Sequence, residues 1–155
     1  TQVLDLAAYV RAIALDLAPL IADKNLDFGV ETSAAPIRAH EWMLRELVRN
    51  LLHNAVRHSP KGARLSVSIQ PQGGQAHLLI RDAGSGISDA MRQRLFQPFA
   101  TGDTKSGTGL GLTIAREIVL ALGGTIQLNN RQHGQHLEGL DTCVWLPLQP
   151  INGTH

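Results

Sequence analysis

Three glycines at alternate positions carry the clearest chemistry in this sequence: Gly107, Gly109 and Gly111. An apolar stripe at helical spacing follows them and ends at Gly123 and Gly124, which are typical of a helix C-terminus. The glycines therefore mark a helix N-terminus, where unpaired backbone N–H groups and the helix dipole can hold an anion. Glycine also lets a phosphate approach the backbone closely. Taken alone, the segment fits either a phosphate site or a helix entry that binds nothing.

Two common phosphate loops do not match these glycines. The dinucleotide-binding loop requires G-x-G-x-x-G after a strand, and the spacing here is different. The P-loop requires Lys and then Ser or Thr after its last glycine, whereas Gly111 is followed by Leu112 and Thr113. Other segments must therefore decide what the glycines do.

A polar strip lies beside the apolar face of a helix predicted over about residues 41–57. Asn50 and Asn54 are four residues apart and share one side of that helix, and Arg57 and His58 continue the strip. An Asn carbonyl can ligate Mg²⁺, an Arg can pair with phosphate, and a flat His ring can lie against a base. The alternatives are ordinary surface asparagines and a histidine favoured by the helix dipole.

A carboxylate closes a predicted strand at Asp82 and is followed by Gly84 and Gly86. A carboxylate that accepts from an exocyclic amine selects adenine over guanine, which has an acceptor at that edge. The same residues could form a simple turn.

The order of these segments is what identifies them together. The Asn helix precedes Asp82-Ala-Gly-Ser-Gly86, then Phe96-Gln-Pro-Phe99, then Gly107-Thr-Gly-Leu-Gly-Leu112. This order resembles the catalytic ATP-binding domain of bacterial sensor histidine kinases, part of the Bergerat-fold ATPase superfamily. The resemblance implies one catalytic domain over residues 1–148, followed by a flexible tail over residues 149–155.

The resemblance also implies ATP and Mg²⁺ as cofactors and gives roles to the matching residues. Asn54 matches the Mg²⁺ ligand, and Asn50 matches its companion near the metal and phosphates. Arg57 matches a phosphate contact, His58 a residue flanking adenine, and Asp82 the carboxylate that reads adenine. The other nucleotide-binding residues expected from the resemblance are Gly84, Gly86, Ile87, Lys105, Gly107, Thr108, Gly109, Leu110, Gly111, Leu112 and Thr142.

The residue four positions before the metal ligand separates transfer from hydrolysis. Hydrolytic members of the superfamily place there a Glu that activates water, whereas this chain has Asn50, and an amide cannot accept that proton. Glu46, one turn further away, could assist catalysis or be a solvated helix residue. We therefore expect a protein histidine kinase activity, with a hydrolytic or non-catalytic nucleotide-binding module as the alternatives.

The partners expected from the resemblance are ATP or ADP, a dimerisation and histidine-phosphotransfer domain, and a response regulator receiver domain. In the family the acceptor histidine is followed by an acidic residue and then Pro. Only His40-Glu41 begins that way here, and no Pro follows before Pro60. We therefore expect the acceptor to lie on a separate domain.

Composition fits this interpretation. The chain has 155 residues and a formal charge of +1, which favours one domain without a basic surface for nucleic acid. Its only cysteine, Cys143, excludes an internal disulfide and is typical of a cytoplasmic core residue. No apolar run is long enough to span a membrane. We expect a cytoplasmic domain without direct membrane contact, within a parent that is an inner-membrane sensor.

Periodicity predicts an α/β fold: a two-layer sandwich with a mixed, mostly antiparallel sheet and helices on one face. The first helix is predicted over about residues 7–23, with a kink at Pro19. Strands are predicted near residues 26–31, 65–69, 76–82, 125–130 and 141–147, and a polar loop over residues 131–138.

Overall fold

The computed structural model of the chain describes residues 1–95 and 108–150. Its helices are α1 (Leu6–Asp16), α2 (Ala18–Asp23), α3 (Glu41–His58), α4 (Asp89–Leu95) and α5 (Thr108–Ala121). Its strands are β1 (Gln2–Asp5), β2 (Asp27–Thr32), β3 (Pro36–Ala39), β4 (Arg64–Gln72), β5 (Gln75–Asp82), β6 (Thr125–His133) and β7 (His136–Pro147). Within the described ranges, no helix is both long and apolar enough to cross a membrane.

The main sheet has the strand order β2-β4-β5-β7-β6. Strand β2 runs parallel to β4, and the remaining neighbours are antiparallel. Alternate residues of β4, β5 and β7 are buried against the helices, as the period of a half-buried strand requires. Helices α1, α3 and α5 supply the other half of this core. The predicted two-layer, mostly antiparallel fold is confirmed.

The first predicted helix divides as expected near Pro19. Helix α1 ends at Asp16, and Pro19 occupies the first turn of α2, where its missing N–H leaves no hydrogen bond unmade. Strands β1 and β3 and helix α4 were not predicted, because four- to seven-residue elements carry too little periodicity to be read from one sequence. Strands β1 and β3 pair with each other rather than with the main sheet.

The predicted polar loop over residues 131–138 is wrong. Strands β6 and β7 continue through it and pair up to His133 and His136, around a turn in which Gly134 has φ 65°. The side chains there are mostly exposed, so the strands have no buried face that would show as alternation. The turn between β4 and β5 is tight, since Pro71 of β4 already pairs with Ala76 of β5.

The C-terminal end of α3 is held by Lys24, which follows α2. The Lys24 ammonium donates to the carbonyl oxygens of Val56 at 2.9 Å, Arg57 at 2.7 Å and Ser59 at 2.8 Å. These carbonyls belong to the last turn and cap of the helix, where intrahelical partners run out. A cation also complements the negative end of the helix dipole.

We expect Lys24→Met to lower the free energy of unfolding by about 1–3 kcal/mol, because it removes charge-assisted hydrogen bonds to partly buried carbonyls. Lys61→Met removes an exposed lysine from the loop after α3 and should change stability little. Urea denaturation of the two variants measures the difference. Equal stability of the two variants would show that the three contacts contribute nothing.

Candidate functional site

A cavity of about 210 Å³ opens between α3, the loop after β5, α5 and β7. Polar groups come from α3 and from the end of β5, while apolar side chains close the opposite wall. The lining residues are Asn54, His58, Asp82, Gly86, Ile87, Ser88, Met91, Leu112 and Leu140. A mostly apolar cavity with a few convergent polar groups is typical of a small-molecule site.

Asp82 is the buried polar group of this cavity, with only 3% of its surface exposed. Its Oδ1 accepts from the N–H of Gly84 at 2.8 Å and from the N–H of Leu140 at 3.3 Å. Burial raises the pKa of the carboxyl above its ordinary value, and these two backbone bonds oppose the rise. Within the described residues the side-chain hydrogen bonds of Asp82 all end on Oδ1, so Oδ2 is left for a ligand.

The loop after β5 lies so close to α3 that only glycine fits at position 84. A Cβ at Gly84 would lie 2.5 Å from the carbonyl oxygen of His58. Gly86 has φ 75°, a conformation that favours glycine, and a Cβ there would lie 2.5 Å from Oδ1 of Asn130. The two glycines therefore determine how closely this loop packs beside the cavity.

Asn54 presents an acceptor to the cavity that the protein does not satisfy. Its Oδ1 is buried, and no hydrogen-bond partner for it exists among the described residues. A buried acceptor without a partner costs free energy, which a ligand can recover. An amide oxygen is a suitable Mg²⁺ ligand, so the residue fits the predicted metal role.

No cluster of three acidic, His or Cys residues that could hold a metal lies in the described chain. A cation here would therefore need further oxygens from its own ligand.

Asn50 lies one turn earlier but does not line the cavity. Its Nδ2 donates to the carbonyl oxygen of Glu46 at 2.7 Å. A Cβ at Gly111 would lie 3.1 Å from its Oδ1, so Asn50 packs directly against the start of α5. The Glu46 carboxylate points to Arg49, at 3.3 Å, on the surface of α3. The structure thus places Asn50 between the two helices and gives Glu46 an exposed ion pair.

The other predicted residues divide into three groups. Arg57 and His58 are exposed at the end of α3, and His58 forms the rim of the cavity. Thr142 is buried on β7, on the same face of the strand as Leu140, but it does not line the cavity. Leu140, two residues earlier, lines the cavity instead. Residues Thr108, Gly109 and Leu110 form the first turn of α5, which places Leu112 in the wall. Lys105 and Gly107 lie outside the described residues.

Ser88, Met91 and Leu140 line the cavity without having been predicted. Ser88 directly precedes α4, and its hydroxyl accepts from the N–H of Met91 at 3.1 Å. This Ser-x-x-Met pattern is an N-cap signal that could have revealed the short helix. Leu140 could be found only through strand pairing, because its position opposite Asp82 depends on the β5–β7 register.

The protein lowers the pKa of the His58 imidazole below its ordinary value, chiefly by desolvation, while the Asp82 carboxylate opposes that shift. The Asp82→Asn substitution removes the opposing charge, so the pKa of His58 should fall further. An NMR titration of the ring protons measures this change. Glu41→Gln, at the other end of α3, is the matched control and should leave the titration of His58 unchanged. An unchanged or raised His58 pKa in Asp82→Asn would contradict the geometry.

Comparisons with known proteins show the family to which this chain belongs. Residues 39–150 match the family model of the histidine kinase-, DNA gyrase B- and HSP90-like ATPases. The sensor protein IrlS of Burkholderia pseudomallei is 31% identical over 150 residues, covering 94% of this chain and 31% of that protein. The sensor protein PfeS of Pseudomonas aeruginosa is 34% identical over 113 residues, covering 72% of this chain and 24% of that protein. The chain thus spans about a third or less of the curated relatives it matches.

Solved structures show the same architecture. A mycobacterial sensor histidine kinase, MprB, superposes with a TM-score of 0.80 at 27% identity, covering 97% of this chain and 99% of that one. The nucleotide-free catalytic domain of histidine kinase ThkA superposes with a TM-score of 0.79 at 23% identity, covering 96% and 97%, and supports the fold. From these matches and the site geometry, the chain belongs to the family of histidine kinase-, DNA gyrase B- and HSP90-like ATPases.

Proposed function

We propose that this chain is the catalytic ATP-binding domain of a sensor histidine kinase. It binds ATP with Mg²⁺ and transfers the γ-phosphoryl group to a histidine on a separate dimerisation domain, from which a response regulator receiver domain takes it. The observation that carries the proposal is one cavity lined by both Asp82, whose Oδ2 accepts no hydrogen bond from the described residues, and Asn54, whose buried Oδ1 has no partner among them. The first suits an exocyclic amine, and the second suits a cation.

The cavity has the polarity that an adenine ring requires. Asp82 accepts from the N6 amine through its free oxygen, because its other oxygen is already held by backbone. Ile87, Met91 and Leu112 provide apolar surface for the faces of the ring. His58 at the rim is kept uncharged near neutral pH by its lowered pKa, so its ring can lie against the base or the sugar.

Asn54 would hold the Mg²⁺ ion, with phosphate oxygens and water completing its coordination. When bound, the ion orients the triphosphate and neutralises charge that develops during transfer. Arg57 is exposed one turn beyond Asn54 and is available to a phosphate. Lys105, Gly107 and the start of α5 are proposed to complete the triphosphate site.

The surroundings of Asn50 favour transfer over hydrolysis. Its amide is engaged with the Glu46 carbonyl and packs on Gly111, and an amide cannot take a proton from water. The Glu46 carboxylate is paired with Arg49 on the helix surface and does not line the cavity. Since neither residue can activate water, the γ-phosphoryl group is kept for an acceptor histidine. The relatives named as sensor proteins support this choice.

We expect the isolated chain to bind ATP and ADP while releasing phosphate very slowly. Titration calorimetry gives the affinity, and a continuous phosphate assay gives the rate of hydrolysis. Release at several turnovers per second would contradict the kinase proposal and favour a hydrolytic module. Absence of any nucleotide binding would contradict both.

We expect Asn54→Ala to abolish phosphorylation of a supplied acceptor domain while leaving metal-free ADP affinity nearly unchanged. The reason is that Asp82 and the apolar wall still hold the base. In the unmodified chain, chelating Mg²⁺ should weaken ATP binding, whereas in Asn54→Ala chelation should have no further effect.

The exposed Asn129 on β6 offers a control, because Asn129→Ala removes an amide that does not line the cavity. This variant should behave as the unmodified chain in both assays. A near-normal transfer rate in Asn54→Ala at saturating ATP and Mg²⁺ would show that the metal is held elsewhere.

A further inference from the structure

One side-chain amide outside the cavity holds the backbone of its wall. Asn130 on β6 accepts from the N–H of Ile87 through Oδ1 at 2.8 Å and donates from Nδ2 to the carbonyl oxygen of Ile87 at 2.9 Å. The two residues are 43 positions apart. The amide therefore pairs with Ile87 in both directions, as a neighbouring strand residue would.

The segment that Asn130 holds belongs to no regular element. Residues 83–87 lie between β5 and α4, so no sheet ladder or helix determines their distance from the cavity. Gly86 presses against Asn130 and Leu137, since a Cβ at Gly86 would lie 2.5 Å from the first and 2.9 Å from the second. Ile87, only 8% exposed, follows directly and lines the cavity. Asn130 thus connects the wall to the β6 edge of the sheet.

We propose that Asn130 is a positioning residue for the base side of the cavity. By fixing both polar groups of Ile87, it sets the separation between the Gly86–Ile87 wall and the Asp82 carboxylate, and so the width available to a planar base. The inference rests on the proposed function, because it takes the ligand beside Asp82 to be adenine. Asn130 itself does not line the cavity and touches no ligand.

Because of its position, substitution of Asn130 should affect binding of the base and not the phosphoryl-transfer step. Asn54, the residue that we propose to hold the metal, lies on α3, whereas the wall that Asn130 holds lies in the loop after β5. Loosening the wall should therefore weaken adenine binding without disturbing the metal. In kinetic terms, the KM for ATP should rise while kcat at saturating ATP stays unchanged.

The neighbouring Asn129 gives a matched control, because it is exposed and its side-chain amide donates to the sulfur of Cys143 at 4.0 Å rather than to the cavity wall. We expect Asn130→Ala to weaken metal-free ADP binding by roughly tenfold, as expected for one lost positioning interaction, and Asn129→Ala to leave it unchanged. Without nucleotide, hydrogen exchange at the Ile87 amide should become faster in Asn130→Ala only. Calorimetry and exchange measured by NMR provide the two readouts.

A second pair of variants applies if Asn130→Ala does not fold. Asn130→Asp keeps an acceptor for the Ile87 N–H but loses the donor to the Ile87 carbonyl oxygen. The Ile87 amide should therefore stay protected from hydrogen exchange while the affinity for ADP falls. Asn129→Asp adds the same negative charge at the neighbouring residue. It is therefore the control for electrostatic repulsion between the new carboxylate and the phosphates of ADP.

Equal ADP affinity in the Asn130 variants and their Asn129 controls would overturn the positioning role alone. Failure of the unmodified chain to bind ADP would overturn the proposed function and the inference with it. A fall in kcat without a change in KM would assign Asn130 to the transfer step and contradict its role at the base.

Discussion

Burial of one carboxylate determines how the rest of this structure is arranged. Asp82 ends β5 inside the protein, where burial raises its pKa, so the ionised form opposes folding at neutral pH. This unfavourable contribution disappears as the pH falls through the raised pKa, because the protonated group carries no charge. The fold limits the cost with backbone N–H groups of Gly84 and Leu140. A carboxylate that destabilises its own fold is most simply retained because it binds something.

Several contacts converge on the backbone around Asp82. Arg131 donates to its carbonyl oxygen at 2.7 Å and forms an ion pair with Asp141. A Cβ at Gly139 would lie 1.9 Å from the same carbonyl oxygen, so β7 can approach only with glycine there. The backbone that carries the carboxylate is therefore held by residues of β6 and β7 before a ligand arrives, which reduces the entropy lost on binding.

The same constraint connects the two sides of the cavity. The loop that leaves Asp82 packs its glycine at position 84 on the carbonyl of His58, and Lys24 holds the preceding turn of α3. The helix that presents Asn54 and the strand that presents Asp82 thus meet through main-chain contacts. A substitution at the end of α3 should consequently weaken the proposed binding of the base as well as that of the metal.

Sequence reasoning predicted the sheet, the long helices and the polar groups of the cavity, because these follow from periodicity and from residue type. Asp82 and Asn54 could be proposed together only through the order of the motifs and the resemblance it carries, because each segment alone also fitted a simple turn or an ordinary surface asparagine. Leu140 and Asn130 could not be found in the same way, because their contacts with the loop after β5 arise from strand register. Thr142 shows the same limit of sequence reasoning. Its strand was predicted, but the sequence could not show that Thr142 lies next to the cavity lining rather than in it.

Helix α4 and the outer end of the β6–β7 hairpin, over residues 131–138, were missed for a different physical reason. The helix has seven residues, and the hairpin extends beyond the core, so neither shows a buried stripe in the sequence. The place of Met91 in the cavity wall was therefore not predicted.

The most direct measurement of the central claim compares ADP with inosine diphosphate, in which a carbonyl oxygen replaces the N6 amine. If the free oxygen of Asp82 accepts from that amine, the unmodified chain should bind ADP at least about tenfold more tightly, because inosine would set an acceptor against a buried carboxylate. The Asp82→Asn variant should lose most of this preference, since an amide can donate to the inosine carbonyl. Equal affinity of the unmodified chain for the two nucleotides would contradict the account.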